Sequence, residues 1–448
     1  MSKPCCLRLM GVLVATAASA FAGDTAEDRP QPPEHIPGAG RPTPFMPKPE
    51  INWDKTAEAP GYDDDVAHAP KYDPKRWPGL TGDEPFFTQK WPEGRVYIRK
   101  GGQWVDENGQ RVAKAVFGDT TDVVLPSADK PYSVGIGSFR HATIGRNASL
   151  KGSGNVFGNL WVKHGGSFRA KTLRTIGSGQ RFLRNDNTKY PDRLYPRRVN
   201  RVSSLSHYAR FAGSGALWVF GANSTFDEFF IDADFIVGPD SIIQPGRNAH
   251  PHVAKGAKLV LLDGAYFGNW SNTMGKPDLT CDGTIQGGLP EKPLKRMAML
   301  GLHFKNYSGR PHPALVKDPN APGSTSGAPR NVTKDVPTLG MAPGTALRAY
   351  TTDPERAPFV IGWTGFSPST HIFHRQRDYE LEAWYHRIPR RLKIEFGKGV
   401  TVENVTFDHV LKGGLIVESR TDFEQWRNVR FGEHCEGKPA ELVTVGGK

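Results

Sequence analysis

The chain has 448 residues, a net charge of +12, and Gly 50 and Pro 37 together making about a fifth of it. That is too long for one small core, and the glycine and proline content argues against a helical bundle while staying short of low complexity. A basic surface favours acidic partners: uronic-acid or sulfated polysaccharides, anionic envelope polymers or nucleic acid.

The N-terminus reads as a secretory signal over residues 1–22. Lys3 and Arg8 precede the apolar run "LMGVLVATAASAFA", and "AFA" supplies an A-x-A cleavage site before Gly23. The run is too short to span a bilayer and no second long apolar segment follows, so a secreted or periplasmic chain with no membrane span is expected. Cys5 and Cys6 fall before the apolar run, leaving Cys281 and Cys435 in the mature chain, either paired or as two buried thiols. Residues 23–78 are Pro-dense and read as an extended linker, in which "YDDDVAH" lacks the spaced ligands of a calcium loop. No cofactor is expected; a structural or catalytic calcium ion is conceivable, but no motif indicates one.

Residues 79–448 have the texture of short strands. "GRVYIRKGGQWVDENGQRV" carries Gly-Gly and Asn-Gly turns between alternating runs, a hairpin signature, and "TTDVVLP" is a further strand. A turn followed by an apolar step then recurs, reaching Leu150, Phe168, Phe226, Ile242 and Leu259. Units this small bury an apolar face only by stacking. Propeller blades need longer repeats and sandwiches more hairpins, so the expected fold is all-β, a right-handed parallel β-helix (a solenoid) with long loop insertions. Two insertions are expected, at 181–201 and 316–344. "CDGTIQGGLPEKPLKR" reads as a tight corner, since it lacks the context of a phosphate loop.

Near the C-terminus "VENVTFDHVL" and "WRNVRFGEHC" align with Asn404 on Asn428 and Phe407 on Phe431. With "MLGLHFKNYSG", these stretches resemble rungs of the pectate-lyase-like superfamily of right-handed parallel β-helices. That resemblance implies one coil between the two asparagines, with the Asn residues at a turn and the Phe residues stacked inside. "FGDTTDVVLPSADKPYSVG" also resembles the start of G8-type modules; no residue role is taken from it.

Candidate chemistry lies elsewhere. In "FDEFFIDADFIVGPD", inward Ile231, Ala233 and Phe235 would turn Asp232 and Asp234 outward, about 7 Å apart at their origins. Such a pair, with Asp227 nearby, suits glycoside hydrolysis by one acid and one base; a solvated strand face has the same pattern. "QPGRNAHPHVAKG" gathers Arg247, His250, His252 and Lys255. The Arg is suited to a carboxylate or sulfate and the His residues to proton transfer, so β-elimination competes with hydrolysis. Arg193, Arg197 and Arg198 in the first insertion and Trp270 in "YFGNWSNTMG" are candidate substrate contacts, the tryptophan at an exposed turn. His371, His374, Asp378 and Glu382 would share a face only on a helix, and no metal site is assigned. The function expected is a secreted carbohydrate-active enzyme cleaving an acidic polysaccharide. The alternative is a β-helix that binds anionic polymer, or builds an envelope, without catalysis. Nucleic acid is not favoured, because only residues 181–201 mix basic and aromatic residues.

Overall fold

The computed structural model describes residues 70–163, 165–175, 177–186, 208–224, 229–244, 251–271, 279–304, 336, 338–363 and 391–446. Twenty-seven strands among them join one sheet. The strand pairings are parallel except that of Arg95–Lys100 with Gln103–Val105, the expected hairpin, which turns on Gly101 and Gly102, both at positive φ. "TTDVVLP" supplies the strand Thr121–Leu125.

Three in-register apolar ladders run through this sheet. One carries Phe211, Ile231, Val253, Cys281, Met341 and Phe396. A second carries Leu217, Phe235, Leu259, Ile285, Leu347 and Val402. The third carries Ile243, Phe267, Leu300, Ile361, Phe407 and Phe431. All three belong to a single core cluster, in which Phe431 is partly buried. Alternate residues of each strand point into it, and each buried Leu or Phe contributes about 1.5–3 kcal/mol. The fold is therefore all-β, dominated by parallel pairing, with a repeat-like strand order.

The spacing of the repeat is partly as expected. Leu150 stands in register with Phe168, and the neighbouring pair Ser149 and Ser167 is 18 residues apart. Asp234 and Lys258 are 24 apart, as are Asn404 and Asn428. The expected steps onto Ile242 and Leu259 are different in kind. Leu259 pairs with Phe235, whereas Ile242 pairs with Ala222 and Tyr266. The turn-plus-apolar texture occurs at more than one corner of each repeat, so these two residues belong to different ladders. Phe226 lies outside the described residues.

The expected insertions also begin later and end earlier than composition suggests. Gln180–Asn185 is a strand with Phe182 and Leu183 buried, and Thr338–Met341 is a strand with Leu339 and Met341 buried. Arg181 and Arg184 masked the first strand; both are buried. The remainder of each insertion, 187–201 and most of 316–337, lies outside the described residues.

Residues 70–78, expected as linker, pack on the outside of the sheet. Trp77 is 1% exposed and clusters with Leu80, Phe86, Trp161, Phe182, Trp218, Phe220, Ile236, Val260 and Leu262. The Arg184 guanidinium lies 4.2 Å from the Trp77 ring centre and 5.0 Å from that of Trp161, and its Nε donates to Asp186 at 2.6 Å. Asp186 also accepts from Trp161 Nε1 at 2.7 Å. Lys292 reaches Glu84 at 2.6 Å and fastens the segment to the corner after Thr284–Gly287. At the C-terminal end Phe423, Trp426 and the fully buried Leu442 cover the core. Short helices at Arg420–Glu424, capped by the Ser419 hydroxyl, and Pro439–Leu442 carry Phe423 and Leu442; no helix among the described residues is long and apolar enough to cross a membrane.

Candidate functional site

The strand Phe229–Val237 alternates as expected at its start: Phe229 and Ile231 are buried, and Phe230 and Asp232 face outward. Parallel pairing keeps in-register side chains on one side, so the outward row continues across strands. It runs Asn155, Arg174, Arg210, Phe230, His252 and Thr280. Arg174 is exposed, the Arg210 side chain is 62% exposed, and Phe230 is one of the few exposed large apolar residues among the described residues. Lys151 and Arg169 are also in register and exposed. Neighbouring strands stand about 4.8 Å apart, so the row presents cations, then an aromatic face, then an imidazole at regular intervals.

Asp232 and Asp234 both turn away from the core. On the adjacent strand the register shifts between Ala212 and Ala216, so Gly213–Gly215 bulge opposite Ala233. Asp232 accepts from Arg210 Nε, and Asp234 lies 3.2 Å from Lys258 Nζ. His252 Nδ1 is 2.8 Å from Thr280 Oγ1, and its Nε2 is 3.8 Å from Asp282. Lys255 is exposed in the turn after His252–Val253.

Asp232, Asp234, His252 and Lys255 thus come onto one stretch of outer surface. Trp270 is placed inside the strand Tyr266–Ser271, paired with His303, and not at a turn; its aromatic and polar neighbours "YFGNWS" are strand residues. Asp227, Arg247, His250, Arg193, Arg197 and Arg198 lie outside the described residues, as do His371, His374, Asp378 and Glu382. Sequence reasoning missed Arg174, Arg210, Phe230, Lys258, Thr280 and Asp282. Lys258 alone carried a signal, standing one 24-residue step beyond Asp234.

A second cluster sits where the sequence suggested scaffold only. Asp408 and His409 follow the strand Val405–Phe407, and His434 follows Arg430–Phe431 one repeat later. Asp408 Oδ2 lies 2.9 Å from His434 Nδ1 and 3.3 Å from His409 Nδ1. Among the described residues this is the group of His, Cys, Asp and Glu side chains that could hold a metal ion. Burial pushes the Asp408 carboxyl up, but the His434 hydrogen bond, the charges of His409 and His434 and the His409 amide outweigh it, and the carboxyl is held below the usual carboxylate range. Cys281 and Cys435 are unpaired, and burial pushes each thiol up to about 12.

Comparison with family models, curated proteins and solved structures finds no match to this chain.

Proposed function

We propose that this chain is an exported right-handed parallel β-helix protein that binds and cleaves an acidic polysaccharide. The β-helix reading is supported by three inward ladders sharing one core, each advancing about one repeat per strand. The observation that carries the functional reading is the outward row Arg174–Arg210–Phe230–His252. Guanidinium groups hold a carboxylate or sulfate through paired hydrogen bonds, and an exposed ring stacks on a sugar face.

Of the two cleavage chemistries, β-elimination fits the row better. Arg210 would neutralise the uronate carboxylate and so acidify the C5 proton. His252, oriented through Thr280 Oγ1, would remove that proton. The C4–O bond then breaks as a C4=C5 double bond forms, and the departing oxygen takes up a proton. Hydrolysis by Asp232 and Asp234 is the weaker fit, because each already faces a cation on the next strand.

The test is incubation with a panel of uronic-acid and sulfated polysaccharides. Ultraviolet absorbance of a new unsaturated sugar supports elimination, and its loss in His252→Ala with binding retained supports the base assignment. New reducing ends without that absorbance transfer the chemistry to the aspartates. No product from any polymer ends the enzyme reading. The second reading, a binder without catalysis, is favoured by the pairing of Asp232, Asp234 and Asp282 with Arg210, Lys258 and His252. It predicts binding without product.

A further inference from the structure

We propose that Asp408, His409 and His434 bind a divalent first-row transition metal ion, a site separate from the outward row. The argument starts from the carboxylate. Asp408 Oδ1 accepts from the backbone N–H groups of His409 at 3.0 Å and His434 at 3.2 Å. Those two bonds fix the carboxylate plane and turn Oδ2 toward both imidazoles, as outer-shell partners orient a metal ligand. Oδ2 then lies 2.9 Å from His434 Nδ1 and 3.3 Å from His409 Nδ1, and the three ligand atoms all lie within 4.8 Å of one another. Bonds of about 2.0–2.2 Å to one ion put ligand atoms on the order of 3 Å apart, so the two short edges need little change. The imidazole rings are stacked, 4.6 Å between centres at 3°, and each must tilt to aim its Nδ1 at a common ion.

Two further observations mark the site as built. His409 holds φ at 61°, one of five non-glycine residues with positive φ among the described residues, a conformation in which histidine is enriched but still uncommon. Residue 432 is glycine, and a Cβ there would collide with the Asp408 carboxylate. Asp408 and His409 are fully buried while the His434 side chain is 16% exposed, which gives an ion an entry side. Two imidazoles with one carboxylate suit Zn, Fe, Ni or Cu rather than Ca or Mg.

The experiment is equilibrium dialysis of chelator-stripped, full-length protein against Zn2+, with melting followed in parallel. The expected result is one Zn2+ per chain and a higher Tm, with affinity reduced about tenfold or more in His434→Asn. Co2+ should give a visible ligand-field spectrum that the same substitution changes. Absence of stoichiometric uptake by the unsubstituted protein overturns the proposal. So does equal uptake by His434→Asn, which would assign the ion to surface histidines. Asp408→Asn, which keeps the acceptor for both backbone N–H groups, serves as the second variant should His434→Asn fail to fold.

Discussion

Asn428 Nδ2 donates to Asn404 Oδ1 at 2.8 Å, and Asn404 Nδ2 in turn donates to the Ala349 carbonyl at 3.0 Å. The two asparagines stand 24 residues apart at φ 49° and 56°, each at a left-handed corner that its short amide side chain tolerates. Asn404→Ala should therefore cost about 1–3 kcal/mol, from the unsatisfied partners and the positive φ together. Asn404→Gly should recover the backbone part only. Chemical denaturation measures both, and an Ala variant as stable as the parent would refute the ladder's role.

Trp77 anchors residues 70–89 to the sheet, with its ring centre 5.2 Å from those of Phe182 and Phe220. Trp77→Ala should cost about 3–5 kcal/mol locally. Because the segment packs on the outside, the loss should appear first as trypsin cleavage near Lys75 and Arg76, ahead of global unfolding. Simultaneous loss of both would mean that the segment is not a separable unit.

The same segment should respond to acid. Burial raises the Glu84 carboxyl, but the Lys292 hydrogen bond and the Thr81 amide lower it further, so it ends below its ordinary value. A depressed carboxyl stabilises the folded state above its unfolded value, about 4.3, and loses that contribution as pH falls through the folded value. Glu84→Gln should flatten this acid limb of docking. Trypsin susceptibility measured from neutral pH downward tests it; an unchanged acid limb would exclude Glu84 as its source.

Arg174→Ala and Arg210→Ala should each weaken binding of a uronic-acid or sulfated polymer by about tenfold, in line with charged hydrogen bonds worth about 1.5–3 kcal/mol. Binding should also fall with salt, less steeply in each variant. Titrations at two ionic strengths decide this, and equal affinity for the variants would remove the row from the binding surface.

Thiol labelling gives an independent measure of the core. With both thiols pushed up to about 12, Cys281 and Cys435 should react slowly with Ellman's reagent at mildly alkaline pH, and the buried Cys281 only as fast as the fold opens. A chain with Cys5 and Cys6 replaced by serine isolates the pair. Prompt labelling of Cys281 without denaturant would contradict its burial.

Local patterning along the chain determined much of this protein. The hairpin at Gly101-Gly102, the strand at Thr121–Leu125, the outward turn of Asp232 and Asp234 and the match of Asn404 to Asn428 all follow from a period of two and a repeated corner. What meets what across the repeats followed only from the tertiary structure. Arg210 reaches Asp232 because parallel pairing sets Arg210 beside Phe230 and Ala212 beside Asp232, and no spacing within "IDAD" encodes which strand lies next to it. Arg184 reads as a solvated insertion residue until Trp77, more than a hundred residues earlier, folds over it. His434 joins Asp408 because an unbroken 24-residue step stacks one corner on the next, and Gly432 leaves room for the carboxylate. Strand pattern is a property of neighbours along the chain, whereas these contacts depend on how many residues each corner consumes.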